Sequence, residues 1–164
     1  MSLHSYESPL GAMLLECDDR AILGLWFMGQ KHFPQRLKGV ALSPCDSSAA
    51  AEAKGWLDSY FAGENPPVSR LMLRPQGTDF QRRVWDILIN IPYGETISYG
   101  QIARQLEAES GRRMSAQAVG GAVGRNPISI IIPCHRVLGS DGSLTGYAGG
   151  AEKKLWLLRH EGII

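Results

Sequence analysis

Apolar and polar residues alternate in short runs along the first 27 positions, a pattern typical of strands. Between Leu14 and Phe27, two apolar runs flank the polar stretch Asp18-Asp19-Arg20, which favours a β-hairpin with an irregular turn. We therefore predict sheet over residues 3–27. Residues 31–47, rich in glycine, proline and serine, predict a loop, and Ser47 or Ser48 can cap a helix over Ala49–Phe61.

A proline-rich stretch follows this helix and indicates a change in organisation. Gly63 and Pro66-Pro67 end the helix, and the partial alternation of Val68–Arg74 predicts one more strand. Pro75-Gln76-Gly77 reads as a linker. We therefore predict two domains, residues 1–75 and residues 76–164.

Helical spacing dominates the start of the second half. Thr78 or Asp79 can cap a helix whose apolar residues lie on one face: Phe80, Val84, Ile87 and Leu88. Two more helices, Ser98–Leu106 and Ser115–Val123, each begin at a serine and are joined by EAESGRRM. Three helices in this order predict a helix-turn-helix, and a helical corner of an ordinary core is the alternative.

The last of these helices contains the small residues Ala118-Val119-Gly120-Gly121-Ala122. Each glycine costs about 1 kcal/mol relative to alanine in a helix interior, so a reason for it is expected. Close packing of another helix is one explanation. Close approach of a ligand backbone such as DNA is the other.

The final third combines an apolar run with turns. Ile128–Ile132 predicts a buried strand that Pro133 ends, directly before Cys134. The sequence SDGS, residues 140–143, predicts a tight turn, the glycines of 146–150 predict a flexible loop, and Ala151–His160 predicts a final helix.

Composition limits the class of protein. With 164 residues, 44% hydrophobic, and a net charge of +1, the chain can form one core or two small ones, and its total charge does not demand a nucleic-acid partner. Three cysteines without a C-x-x-C pair argue against disulfides and a thiolate zinc site, and no His/Cys spacing indicates a metal. No stretch is long and apolar enough for a membrane span, so we expect a cytoplasmic protein without metal or cofactor.

Cys134 and His135 form a candidate nucleophile and base. The thiolate is the nucleophilic form of cysteine, and it needs a base or positive surroundings at neutral pH. Neighbours on a strand point to opposite faces, so direct contact between His135 and Cys134 is not assured, and a bridging water molecule would serve equally. A carboxylate that orients the imidazole would complete the set, and the sequence by itself leaves open which one does so.

Several motifs in order resemble the O6-alkylguanine-DNA alkyltransferases: AVGGAVGRNP at 118–127, PCHRV at 133–137, and TGYAGG with WLLRHEG near the end. The resemblance implies an α/β protein with an RNase H-like N-terminal domain and a winged helix-turn-helix C-terminal domain. It also implies a monomer without cofactor that binds double-stranded DNA through the minor groove and rotates an alkylated guanine out of the stack. The alkyl group of O6-alkylguanine, and of O4-alkylthymine, then moves irreversibly to the protein's cysteine.

The resemblance also implies roles for individual residues. Cys134 would accept the alkyl group, His135 would act as base through water, and Glu161 would hold His135 in the right tautomer. Tyr99 would help to rotate the nucleotide, and Asn126 would brace the turn before the active site. Without the resemblance, Tyr99 is equally well a core aromatic residue and Asn126 a turn residue.

Further matched positions would contact DNA or the flipped base. Tyr147 would wall the pocket, the backbone of Cys134 and Val137 would contact the guanine edge, and the Ala148 amide would contact its oxygen. Lys154 would lie near that pocket; the alternative is that it is a solvated charge on an exposed helix. Ala148 replaces a serine of many relatives. The complete predicted substrate- and DNA-binding set is Gln117, Ala118, Gly121, Arg125, Val137, Tyr147, Ala148 and Lys154.

Two features depart from the family's pattern. Gln117 stands where relatives usually insert an arginine into the base stack, so weaker DNA binding is expected. The stretch between Leu106 and Ser115 is a few residues longer than in many relatives, and its Arg112 and Arg113 would either contact phosphate or coat a solvated loop. A non-catalytic DNA-damage sensor and a cysteine hydrolase are the alternative functions, although Cys134 argues against the sensor.

Overall fold

The computed structural model describes all residues, 1–164. By their internal contacts these form two units, residues 1–76 with 127–129 and residues 77–126 with 130–164. None of the helices is long and apolar enough to cross a membrane.

The first unit contains a three-stranded antiparallel sheet in the order β1-β2-β3, which confirms the sheet predicted for residues 3–27. Its strands are β1 (Ser2–Ser8), β2 (Gly11–Cys17) and β3 (Ile22–Phe27). The register of β2 and β3 shifts between Glu16 and Cys17, next to the irregular turn. Helix α1 (Ser48–Phe61) packs on all three strands, and its N-terminus is capped by the Ser47 hydroxyl.

The strand predicted for Val68–Arg74 is wrong. Val68–Arg70 forms a 3-10 helix, because the carbonyl of Pro67 accepts from the Arg70 amide at 3.2 Å and turns the chain. Ladder hydrogen bonds form only around Leu73, which bridges Ile22 of β3 in parallel. Partial alternation therefore reflected half-burial rather than strand pairing.

The strand predicted for Ile128–Ile132 is also wrong. Only Ile128 forms a bridge, to Leu25, whose amide donates to the carbonyl of Pro127 at 2.8 Å and whose carbonyl accepts from the amide of Ser129 at 2.9 Å. The next residue, Ile130, has φ 70°, which is rare for a β-branched residue and turns the chain out of extended conformation. The apolar run indicated burial correctly, since all five residues are buried, but burial does not require a strand.

The second unit is mainly helical, as predicted, and its α2, α3 and α4 pack on one another. Its elements are α2 (Asp79–Ile89), β4 (Ile97–Ser98), α3 (Tyr99–Ser110), α4 (Ala116–Gly124), β5 (Val137–Leu138) and α5 (Ala151–His160). The two short strands pair in parallel.

Local sequence explains where these helices begin and end. Capping boxes at Thr78 and Ser98 start α2 and α3. Helix α3 runs four residues beyond its predicted end at Leu106, and Gly111, with φ 70°, ends it in the left-handed conformation. The buried indole of Trp85 on α2 donates to the Ala122 carbonyl of α4 at 2.9 Å, a contact that the sequence pattern did not reveal.

Candidate active site

Cys134 begins a 3-10 helix, Cys134–Arg136, that follows Pro133 directly. Its amide donates to the carbonyl of Ile132 at 2.8 Å, and the residue is 5% exposed. The predicted position at the end of a strand is therefore corrected: successive residues of a 3-10 helix point about 120° apart, not to opposite faces. This turn aims Cys134 and His135 in different directions.

Asn126 braces this turn from the end of α4. Its side-chain amide is buried and donates to the carbonyl of Ile132 at 2.8 Å. A hydrogen bond from Asn126 also stabilises the thiolate of Cys134 and so works to lower the pKa of the thiol. One side chain therefore fixes the backbone before the cysteine and contacts its sulfur.

His135 and Glu161 form a fully enclosed pair, with Nε2 of the imidazole 2.5 Å from Oε2 of the carboxylate and neither side chain exposed. An ionised carboxylate only accepts hydrogen bonds, so Nε2 carries the hydrogen. Nδ1 is then the nitrogen that can accept a proton. Burial lowers the pKa of His135 and outweighs the opposing effect of Glu161. The lowered pKa favours a neutral ring at neutral pH.

Glu161 stays ionised despite its burial. Burial raises the pKa of its carboxyl, but the hydrogen bonds from His135 and Arg136 and the electrostatic attraction of the carboxylate to these two groups outweigh that effect and bring the pKa to about 2. The amide of Gly94 also donates to Oε1 of Glu161 at 3.1 Å.

Lys154 has no exposure and so is not the solvated charge of the alternative interpretation. Its ammonium donates to the carbonyl of Val137 at 2.5 Å and to that of Thr145 at 3.2 Å. Burial lowers the pKa of Lys154 to about 8, while the charge of Cys134 opposes that change. Lys154 is thus a cation at neutral pH that acts on the thiol electrostatically.

The surroundings of Cys134 act on its thiol in two directions. Burial raises the pKa of the Cys134 thiol, which disfavours the nucleophilic form. The hydrogen bond from Asn126 and the charge of Lys154 oppose that rise. The site therefore has a protected thiol that needs help to ionise, with the cation and the donor for that help already in place.

Two tyrosines lie around the sulfur. Burial and the charge of Cys134 raise the pKa values of Tyr99 and Tyr147, which keeps both hydroxyls protonated. The Tyr99 hydroxyl donates to the carbonyl of Thr145 at 3.0 Å, and a side chain at Gly146 would lie only 2.6 Å from that hydroxyl. Tyr147 is buried and Ala148 half-buried on the same loop.

The predicted DNA-contacting residues of α4 form a separate, exposed set. The spacing of four positions between Gln117, Gly121 and Arg125 puts them on one face of the helix. All three are exposed, as is the neighbouring Ala118. A Cβ at Gly121 would meet nothing, and one at Gly120 would lie at an ordinary 3.8 Å from the Tyr99 ring. Helix packing therefore does not explain the glycines.

The loop between α3 and α4 is anchored at both ends by Glu107. Its carbonyl accepts from the Gly111 amide and its carboxylate from the Met114 amide, both at 2.8 Å. Arg112 and Arg113 lie between these anchors and are exposed. No cluster of three or more His, Cys, Asp or Glu side chains is arranged to hold a metal ion.

Sequence reasoning missed Arg136 as part of this site. Its side chain is buried, and its Nε donates to Oε1 of Glu161 at 2.7 Å. An arginine directly after the apolar run 130–134 and His135 was the signal, because an arginine buried there needs a partner.

Comparison with known families and relatives agrees with this geometry. Residues 1–75 match the 6-O-methylguanine DNA methyltransferase, ribonuclease-like domain, and residues 79–163 match the DNA binding domain of the same family. A methylated-DNA–protein-cysteine methyltransferase of Mycobacterium leprae is 45% identical over 96% of this chain and 90% of its own, and one of Salmonella typhimurium is 42% identical over 96% and 93%.

A solved structure of a relative also resembles this chain over nearly its whole length. The Mycobacterium tuberculosis OGT in complex with DNA is 42% identical and superposes with a TM-score of 0.83, covering 98% of this chain and 92% of that one. The predicted two-domain α/β fold is confirmed by these matches. This chain belongs to the 6-O-methylguanine DNA methyltransferase family.

Proposed function

We propose that this protein repairs O6-alkylguanine in DNA by transferring the alkyl group to its own Cys134 in a single irreversible step. The observation that carries the proposal is the buried Cys134 with Asn126 and Lys154 acting on its sulfur, next to the enclosed His135–Glu161 pair. Family membership supports it, as does a relative solved with DNA.

The reaction begins with ionisation of the thiol. Neutral His135 accepts the proton at Nδ1 through one bound water, and Glu161 stabilises the resulting imidazolium. Lys154 and Asn126 stabilise the thiolate as it forms.

The transfer itself needs no further reagent. The sulfur attacks the alkyl carbon, a sulfur–carbon bond forms, and the bond from that carbon to guanine O6 breaks with its electrons going to the base. The proton lost by the thiol returns to the guanine ring, so thiol and O6-alkylguanine become thioether and guanine. No step regenerates the thiol, and each molecule reacts once.

Access to Cys134 requires the base to leave the DNA helix, because the sulfur of a buried residue cannot reach an atom inside stacked DNA. A monomer would bind double-stranded DNA through the minor groove, with the exposed face of α4 on the backbone. Tyr99 would exchange its bond to Thr145 for the flipped nucleotide, and Tyr147 would wall the pocket. The backbone of Val137 and Ala148 would contact the base edge.

Two finer assignments belong to this proposal. O4-alkylthymine is a second substrate, since it presents the same alkyl–oxygen bond on a base that can be flipped. Residues 1–75 and 76–164 are assigned as the two domains, with the segment 127–129 contributing to the first unit.

Intact-protein mass measurement after mixing with an alkylated duplex tests the proposal. We expect the mass of one alkyl group, located on Cys134, and then no further reaction. Binding without a mass change would instead indicate a damage sensor. Repeated turnover of the substrate by protein that stays unmodified would indicate a cysteine hydrolase. Cys134→Ala should still bind but gain no alkyl group; a stoichiometric gain by this variant would refute the assignment.

A further inference from the structure

Arg136 is held on three sides next to the His135–Glu161 pair. Its Nε donates to Oε1 of Glu161 and its Nη1 to the carbonyl of Ile91, both at 2.7 Å. Its guanidinium carbon lies 5.7 Å from the centroid of the Tyr93 ring, within range of a cation–π contact. A side chain so restrained has a fixed direction toward Glu161.

The two oxygens of Glu161 have different partners. Oε1 accepts from Arg136 and from the Gly94 amide, whereas Oε2 lies against Nε2 of His135. With Oε1 occupied, the carboxylate cannot rotate to offer its other oxygen without breaking two hydrogen bonds. The orientation of the imidazole therefore depends on Arg136 through Glu161.

We propose, given the function proposed above, that Arg136 is a positioning residue for alkyl transfer. It holds Glu161 as an ionised acceptor and thereby fixes the His135 tautomer whose Nδ1 takes the thiol proton. Arg136 acts through Glu161, not on the substrate. Nothing in its position requires contact with DNA, since its side chain is buried.

The surrounding charges support this role. The groups that face the His135–Glu161 pair are Arg136 on the 3-10 helix, Lys154 on α5, and Tyr93 after α2. Burial lowers the pKa of His135, and the charges of Arg136 and Lys154 act in the same direction, against Glu161. Without Arg136, more of the imidazole would be protonated at neutral pH and unable to accept the thiol proton.

Single-turnover rates of alkyl transfer, measured against pH, test the proposal. In Arg136→Met we expect the acidic limb of the pH–rate profile to move to higher pH. The loss of rate relative to the unmodified protein should then be roughly tenfold or more greater near pH 6 than near pH 8. Arg136→Lys keeps the charge and one donor, so its limb should stay near that of the unmodified protein even if its rate is lower throughout.

Arg159→Met is the matched control, because it removes an exposed arginine two positions from Glu161. Its profile should not change. A purely structural role for Arg136 would lower thermal stability and scale the rate equally at every pH, and that outcome would overturn the proposal. Affinity for an alkylated duplex should be unchanged in the variants, which separates positioning from DNA binding.

A measurement on the unmodified protein covers the case in which Arg136→Met does not fold. Nitrogen NMR of the His135 ring should show hydrogen on Nε2 at neutral pH, and hydrogen on Nδ1 would overturn the proposal. This readout does not require alkyl transfer. Failure of the unmodified protein to take up an alkyl group would refute the proposed function, whereas an unmoved acidic limb in Arg136→Met would refute only the role of Arg136.

Discussion

The ammonium of Lys154 donates to the carbonyl of Val137 at 2.5 Å in a fully buried setting. Val137 directly follows the 3-10 helix of Cys134, while a second bond, to Thr145, reaches the loop that contains Tyr147. Lys154 therefore fixes backbone on two sides of the thiol and also supplies the positive charge that acts on it.

Lys154→Met should slow alkyl transfer at neutral pH. Losing the charge raises the pKa of the Cys134 thiol further, and a neighbouring charge commonly changes the thiolate fraction roughly tenfold or more. Ultraviolet absorbance of the thiolate against pH, corrected with Cys134→Ala, measures the shift. Lys153→Met, which removes the neighbouring charge on α5, should titrate like the unmodified protein; equal effects of the two variants would contradict a specific role for Lys154.

Glu161→Gln should destabilise the protein at pH 7 by about 3 kcal/mol, because it leaves a buried Arg136 without its ion-pair partner. The folded pKa of Glu161, about 2, lies below its ordinary value of 4.5. This contribution is therefore complete above pH 4.5 and is lost as the pH falls toward 2.

Urea unfolding at several pH values checks this. The difference in unfolding free energy between the two proteins should shrink on acidification, since a protonated Glu161 resembles glutamine. Glu152→Gln, on the exposed first turn of α5, is the control and should show little difference at any pH. A difference that stays constant down to pH 3 would contradict the assignment.

Gly121→Ala should raise stability and weaken DNA binding. A Cβ at this position meets nothing, so the helix should gain about 0.5–1 kcal/mol. If DNA approaches this exposed face closely, the added methyl group will hold it off. Thermal unfolding and duplex affinity at one salt concentration measure both effects, and unchanged affinity would argue against close approach at Gly121.

Gln117→Arg should tighten binding to an alkylated duplex, because Gln117 is exposed on α4 and a guanidinium adds phosphate attraction and stacking. The effect should be largest at low salt. Gln105→Arg, which adds the same charge to the exposed surface of α3, controls for charge alone. Equal or weaker binding by Gln117→Arg at matched salt would contradict the expectation.

Replacing Arg112 and Arg113 together by alanine should reduce the salt dependence of DNA binding. Each lost phosphate contact lowers the slope of log affinity against log salt by about 0.9. The matched control replaces Arg20 and Arg70, exposed arginines of the first unit. An unchanged slope in the Arg112/Arg113 variant would identify a solvated loop.

The sequence predicted those features that depend on near neighbours. Thr78 and Ser98 start helices as expected because a cap needs only the residues three positions on. The β-hairpin, the final helix and the turn at 140–143 follow equally local patterns. The two wrong strands fail for the opposite reason, since an apolar or alternating run reports burial but not which backbone partner exists.

The environment of the candidate site was less predictable. Lys154 is charged, on a helix, and indistinguishable by pattern from an exposed lysine, yet two carbonyls distant in sequence allow its burial. From the residues alone, any of several carboxylates could have oriented His135. The resemblance indicated Glu161, and the fold places it there, 26 positions along the chain.

The hydrogen bonds of Leu25 to Pro127 and Ser129 determine when the first unit can finish folding during translation. A nascent chain that ends at residue 76 already contains all three strands of the sheet, but the amide and carbonyl of Leu25 still lack those partners, so this edge of β3 stays unpaired. The sheet therefore completes only after residue 129 has left the ribosome. The first unit of this protein is finished late in translation, by residues made after most of the second.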